Sequence, residues 1–399
     1  VEKLIELFFN AANMERWNDH IRPVTLVELD KQAHKIIIAY IIAKIEEEKG
    51  NYKINWIELI NKFLFDFFYR LVLTDLKPPV FHELMANKKK ELNQYVLEEI
   101  NPILMDFNPD FALLFKKHID TDNLTIEDRI IKAAHYLATN WEFKIIYNAG
   151  SFIYGVDKTK KDIEKQIKNH YDLEGVTKLI LSKDLYGFMD LCGQLRFQKR
   201  WAHTPRVPET SVLGHMLVVA AISYMFSLKS IDSPVDKRLY NNFFGGLFHD
   251  LPEVLTKDII SPIKRSVEGL EYIIKDYENY QMENKIFTLL PKNMVDELKY
   301  LTMDEFDNKI IINGSIKKLS KEEISNYNKN GYNPVDGELI DAADKLAAYA
   351  EAKLSLRHGL TSKVLEQAIV SIKEENSSKT FLNLNLNDVY NNLDEIIDE

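Results

Sequence analysis

Four blocks of residues from the first half of this chain return, in the same order, in the second. Glu6-Leu7 followed by Arg16-Trp17 answers to Asp190-Leu191 followed by Arg200-Trp201, at a constant offset of 184. His34-Lys35-Ile36-Ile37-Ile38-Ala39 resembles His215-Met216-Leu217-Val218-Val219-Ala220. Leu73-Thr74-Asp75-Leu76-Lys77-Pro78-Pro79-Val80 resembles Thr256-Lys257-Asp258-Ile259-Ile260-Ser261-Pro262-Ile263, with Asp and Pro in register. The run from Ile131 through Ala133-Ala134-His135 to Gly150 mirrors Ile340 through Ala342-Ala343-Asp344 to Gly359. Ordered self-similarity of this kind predicts two related domains, each building its core from one pattern. They span about 1–150 and 185–360, with a helical linker over 151–184 and a tail over 361–399.

The pattern itself is helical. Phe63-Leu64, Phe67-Phe68 and Leu71 fall at i, i+4 spacing, and similar runs lie near Leu217–Phe226 and Ala342–Leu356. The expectation is an all-α protein with one exception. Asn313-Gly314 stands between two β-branched runs over residues 308–319, and Asn-Gly tolerates the positive φ of a two-residue hairpin turn. This hairpin sits in a Lys- and Asn-rich insertion, about 290–335, expected to be a flap or a solvated loop. Lys158 to His170 reads as a charged, solvent-facing helix. The segment from Asn376 reads as a loose acidic tail with one short helix over Val389 to Ile397.

Composition excludes several roles. The net charge of −10 argues against a general nucleic-acid binder, which needs a basic face, though not against a small phosphorylated substrate in a locally basic pocket. No run of 18 apolar residues occurs, so no membrane span is expected. The N-terminus lacks a signal-peptide pattern, and Cys192 is the single cysteine, so no internal disulfide forms. A cytoplasmic location is the simplest expectation.

The candidate chemistry centres on Leu247-Phe248-His249-Asp250-Leu251-Pro252-Glu253. Imidazole and carboxylate together suit Zn, Mn, Fe or Co. His215 lies on an apolar helix, and Asp344 lies among alanines on a small-residue helix. A buried, unpaired carboxylate is costly, and an ion shared among His215, His249, Asp250 and Asp344 removes that cost.

The order His…His-Asp…Asp on helices resembles the HD-domain metal-dependent phosphohydrolases, and within them the bacterial HD-type 5′-deoxynucleotidases. The residues that carry the resemblance are Arg200-Trp201 before the first histidine, then His249, Asp250, Glu253, Val254, Leu255, Thr256, Asp258, Pro262 and Lys264, then Ala343, Asp344, Leu346, Ala348 and Tyr349. It covers about residues 188–358. Leu213-Gly214 departs from the Ser-Glu or Ala-Glu usual before that histidine. No histidine lies between Asp250 and Asp344, whereas two-metal HD enzymes need extra histidines there. The resemblance therefore implies one divalent ion (Mn, Co, Zn, Fe, Ni or Mg) on His215, His249, Asp250 and Asp344. It implies that Glu253 orients or deprotonates water, and that Arg200 and Lys264 neutralise a phosphate. Trp201 would stack on a base, and Asp258 would bind a sugar hydroxyl or cap a turn. The implied substrate is a nucleoside monophosphate or similar phosphomonoester. Another nucleotide (a dNTP or an alarmone) and a regulatory protein that binds metal and nucleotide without turnover stay open.

In the first copy the alignment puts Asp66 at the place of His249, Phe67 at Asp250, Arg70 at Glu253 and His135 at Asp344, with His34 alone keeping its type. That copy is expected to lack a catalytic metal, to fill the space with a buried His–Asp cluster, and to serve as a scaffold or an oligomer contact.

Overall fold

The computed structural model describes residues 1–74, 76, 78–257, 267 and 269–398. Asp258 and Lys264 lie outside the described residues. Among the described residues the fold is all-α apart from three small two-stranded sheets. Its contacts divide it into two units, Lys3–Val176 and Thr177–Glu399.

The first unit holds α1 (Glu2–Asn13), a strand pair β1 (Glu15–Arg16) and β2 (Leu26–Val27), α2 (Glu28–Glu48), α3 (Trp56–Leu73), α4 (Pro78–Phe107), α5 (Pro109–Asp120), α6 (Ile126–Gly150) and α7 (Val156–Lys168). α8 (Glu174–Leu181) spans the division. α2 is buried nearly all round, its apolar second half in the core and its first turns burying Glu28, Asp30, Lys31, Gln32, His34 and Lys35. It packs on α6, and Phe8 of α1 stacks on Phe67 and Phe68 of α3. Gly175 lets the chain pass α2 closely: a Cβ there would stand 2.7 Å from the Ile42 Cα. α7 shows a mixed face, with Val156, Ile163 and Ile167 buried and its lysines outward.

The second unit holds α9 (Lys183–Gln194), α10 (Val212–Ser230), α11 (Asp236–Phe248), α12 (Glu253–Thr256), α13 (Leu270–Gln281), α14 (Lys292–Thr302), hairpin β3 (Lys309–Ile312) and β4 (Ser315–Lys318), α15 (Lys321–Ile324), α16 (Gly337–Arg357), α17 (Lys363–Asn376), hairpin β5 (Thr380–Phe381) and β6 (Leu384–Asn385), and α18 (Leu386–Asp398). α10 is long and apolar enough to cross a membrane, with mean hydropathy 1.6, but 89% of it is buried inside its unit. α11 and α16 pack against it.

The Asn-Gly hairpin forms as expected, with Ile312 opposite Ser315 and both turn residues at positive φ (51° and 77°). The insertion around it is neither flap nor solvated loop. Ile310, Leu319 and Ile324 form a small core of their own, covered by Ile312, Tyr327 and Tyr332. The segment expected as a tail is also folded. Leu386, Val389, Tyr390, Leu393 and Ile397 recur at helical spacing and bury that face of α18. Tyr349 of α16 donates to Asp394 at 2.7 Å. The short amphipathic helix expected over Val389 to Ile397 is there, beginning earlier, at Leu386.

The two units share local geometry residue by residue. Glu15 pairs with Val27, and Lys199 pairs with Ser211, the same bridge at the offset of 184. Trp17 and Trp201 both take φ 57°, an uncommon left-handed conformation for a bulky residue. α2 and α10 begin at Glu28 and Val212, again 184 apart. At the offset of 183, Thr74 and Lys257 end their helices with positive φ (54° and 66°), their amides donating to the carbonyls of Arg70 and Glu253.

Candidate metal centre

Three helices of the second unit bring the candidate ligands together. Ser211 caps α10 by accepting from the Gly214 amide at 2.9 Å, which fixes where the helix begins and so where His215 points. α11 crosses α10 closely at Gly246, where a Cβ would stand 2.9 Å from the Ala220 Cα. That approach carries His249, at the end of α11, over His215, with the two rings 5.4 Å apart. The Gly246 carbonyl also accepts from His249 Nδ1 at 2.8 Å, turning Nε2 toward the centre. α16 supplies Asp344.

The resulting geometry is that of a donor set. His215 Nε2 lies 2.9 Å from Asp344 Oδ1, and His249 Nε2 lies 3.1 Å from Asp250 Oδ2. Asp250 Oδ2 is also 3.8 Å from His215 Nε2. Ligand atoms of His215, His249 and Asp344 all fall within 4.8 Å of one another. Donors roughly 2.1 Å from an ion and at right angles are about 3.0 Å apart, so these spacings suit one shared ion. The histidines are fully buried, whereas the carboxylates are partly open, so the site has a closed floor and an accessible rim. His249 Nε2 is a buried ring nitrogen that makes no hydrogen bond. Such an atom fits a metal ligand, and the backbone carbonyl behind it is the usual partner that fixes a ligating ring.

The electrostatics are those of a site assembled for a cation. Burial opposes charge on His249, yet Asp250 beside it overrides burial and raises it to about 9. Asp250 and Asp344 are held below the ordinary carboxylate range against the opposing effect of burial, the first mainly by His249, the second mainly by Lys345.

Sequence reasoning missed the layer behind the ligands. Glu351, two turns beyond Asp344 on α16, is fully buried and accepts from Trp201 Nε1 (2.8 Å) and from Thr210 (2.5 Å). Arg200 and Arg206 approach it at 3.5 and 3.7 Å, and His215 Nδ1 stands 3.9 Å away. Burial would raise its pKa, but Arg206, Arg200 and His215 bring it down to about 2. The available signal was the seven-residue interval Asp344…Glu351 on one helix face, hidden because a glutamate amid alanines reads as a surface residue. Arg200 itself reaches Asp250 at 3.6 Å, on the site's edge. The Trp201 indole nitrogen is held by Glu351 behind the site. Lys345 Nζ meets Asp344 at 2.8 Å, and Phe306, from the insertion, lies 6.2 Å from the His249 ring. Glu253 begins α12 and is buried, its carbonyl held by Gln198 at 3.0 Å. Glu209 pairs with Lys199 on the surface, away from the ligands.

The same layer recurs in the first unit around different residues. Trp17 Nε1 donates to Glu142 at 3.0 Å and Arg16 Nε donates to it at 2.8 Å, as Trp201 and Arg200 address Glu351. The residue in the place of His215 is Lys31, not His34, because α2 and α10 align from their first residues. Lys31 Nζ lies 2.6 Å from His135 Nδ1. His34 packs edge-on against Trp141 instead. Asp66 meets His118 at 3.2 Å and Lys35 at 3.5 Å. Asp66 thus pairs with His118 at a partly exposed position, while His34 and His135 pack on Trp141 and Lys31, so the buried cluster expected of His34, Asp66 and His135 is not what these residues build.

Residues 192–373 match the HD domain family. That stretch of the second unit is an HD domain, and a relative named as a phosphatase supports a metal-dependent phosphohydrolase. 4′-Phosphooxetanocin A phosphatase of Priestia megaterium is 24% identical to it over 199 residues, covering 48% of this chain and 85% of that protein.

Proposed function

We propose that the second unit removes the phosphate from a nucleoside monophosphate or a similar small phosphomonoester, with one divalent ion on His215, His249, Asp250 and Asp344. The observation that carries this is the convergence of the buried His215, His249 and Asp344, with the partly open Asp250 carboxylate beside His249 Nε2. A divalent ion there acidifies water and withdraws charge from a phosphate oxygen. The side chains do the rest. Arg200, on the rim beside Asp250, offers its guanidinium to the phosphate, and Lys345 offers a second cation. Glu253 takes the proton from the attacking water. Lys264 adds charge to the phosphate and Asp258 meets the sugar. The relative from Priestia megaterium, a phosphatase by name, supports the phosphomonoester class.

The first unit is, in this reading, a degenerate copy. Shared bridges, shared left-handed tryptophans and the shared Trp–Glu–Arg network support common descent. Phe67 and Lys31 in ligand positions remove its metal.

The test is phosphatase assay of the purified protein with Mn, Co and Mg against a panel of nucleotides, alongside metal analysis. Release of phosphate from monophosphates, lost in Asp250→Ala, is expected. Turnover only of triphosphates would overturn the substrate assignment.

A further inference from the structure

One aromatic side chain at the metal centre comes from the insertion. Phe306 lies in the turn over residues 303–307, between α14 and β3. That turn is fixed from several sides. Asp304 takes a left-handed φ of 48°, and its carbonyl accepts from the Asp307 amide at 3.0 Å. Lys309, 1% exposed, donates to the carbonyls of Met303 (2.6 Å) and Asp304 (3.2 Å). Lys318 pairs with Asp304 and Asp307, and Lys275 of α13 pairs with Asp304 and Glu305. A Cβ at Gly337, the first residue of α16, would overlap the Asp307 backbone. That glycine lets the turn lie against the helix that carries Asp344. The charged side chains of the turn hold it in place, and the side chain it delivers to the metal centre is Phe306.

The Phe306 ring lies 6.2 Å from the His249 ring, and Lys345 Nζ stands 5.7 Å from its centroid. The His249 side chain is 1% exposed and that of Lys345 33%. Phe306 is itself half-buried, so it stands between the closed floor of the site and its rim. A phosphate at this site has Arg200 and Lys345 for its oxygens. Its ester group must leave on the open side, where a hydrocarbon ring offers neither charge nor hydrogen bond but a flat apolar face. Trp201, from which base stacking is expected by sequence, is turned to Glu351 behind the ligands and does not supply that face.

We propose that Phe306 is a substrate-binding residue, its ring packing against the nucleoside part of the monophosphate. This rests on the phosphomonoesterase reading of the second unit. It gives the insertion a role: its small core and its buried Lys309 hold one ring at the rim of a metal centre built on other helices.

The experiment measures hydrolysis of deoxyadenosine 5′-monophosphate and its inhibition by inorganic phosphate, with metal analysis, for the unsubstituted full chain, Phe306→Ala and Phe306→Leu. In Phe306→Ala the KM for the monophosphate should rise about tenfold or more, the scale of a lost aromatic–base contact. kcat should change less than KM, and the inhibition constant of phosphate and the metal content should not move. An unchanged KM overturns the proposal. So does phosphate inhibition that weakens in step with KM, because the ring then acts on the metal centre and not on the nucleoside. Should Phe306→Ala lose its ion, Phe306→Leu decides, since it keeps apolar bulk against His249. Loss of the ion there too makes Phe306 a support for His249 and overturns the proposal. An unsubstituted chain that hydrolyses no nucleoside monophosphate overturns the reading of the site and this proposal with it, whereas the variant results bear on Phe306 alone.

Discussion

Lys31 and His215 are each the fourth residue of a buried helix, and each faces the same residue position on a later helix, His135 in one unit and Asp344 in the other. Behind both stands the same arrangement of tryptophan, arginine and buried glutamate. The comparison separates two layers of one design. The Trp–Glu–Arg layer is kept where metal ligands are present and where they are absent, so its role in building the fold does not depend on the ion. The layer in front of it differs, with His215 and Asp344 in one unit answered by Lys31 and His135 in the other.

The largest effect should come from removing a ligand. Metal analysis should return close to one ion per chain, and Asp250→Ala should bring that near zero. Activity should fall by more than about 10³-fold, because the ion supplies several kcal/mol of charge stabilisation. A tightly held ion persisting in this variant would place a metal in the first unit and break the contrast between the two. Next comes Glu253→Ala, which should leave the ion in place and lower kcat by roughly 10²–10⁴-fold. If the ion is lost as well, Glu253 supports the ligands rather than the proton transfer, and its contrast with Arg70 loses meaning.

Smaller, and expected in both units, is the effect of neutralising the buried carboxylate. Glu351→Gln and Glu142→Gln each strand arginine beside a buried amide, at a cost of about 3 kcal/mol or more. Denaturant unfolding of the two variants measures this. A large loss in one and none in the other would show that the shared layer does different work in each unit. The smallest effect, taken per pH unit, is a pH slope. Lys31 and His135 hold fewer protons folded than unfolded, because burial and neighbouring cations depress both below their ordinary values of 10.5 and 6.5. Stability should therefore rise with pH through the window below each ordinary value, by up to about 1.4 kcal/mol per pH unit per group. Lys31→Met should flatten the part above pH 6.5. Unfolding of the first unit followed from pH 6 to 9 checks the sign, and a decline over that range would refute it.

Much of the second unit was legible because its ligands are rare residue types set in strongly patterned sequence. His249-Asp250 after an apolar run, Asp344 amid alanines and Asn313-Gly314 between β-branched runs each have a local reason that needs no partner. The amphipathic helix over Val389 to Ile397 was legible from its stripe, but the stretch before it was read as loose, because Thr380-Phe381 and Leu384-Asn385 become strands only by pairing with each other. The insertion was misjudged likewise, since Ile310, Leu319 and Ile324 become a core only when folded onto one another.

His34 marks where sequence stops. Its match to His215 was one of residue type, whereas structural equivalence is set by where a helix begins. Val27 and Ser211 fix those starts, through their pairing with Glu15 and Lys199. The helices and the hairpin followed from local pattern, because periodicity and turn chemistry are properties of adjacent residues, and the candidate ligands followed from the HD-domain resemblance. That Lys31 meets His135, and that Glu351 stands behind His215, was decided by tertiary packing. Residues 104 and 136 positions apart come into contact only when the helices carrying them cross.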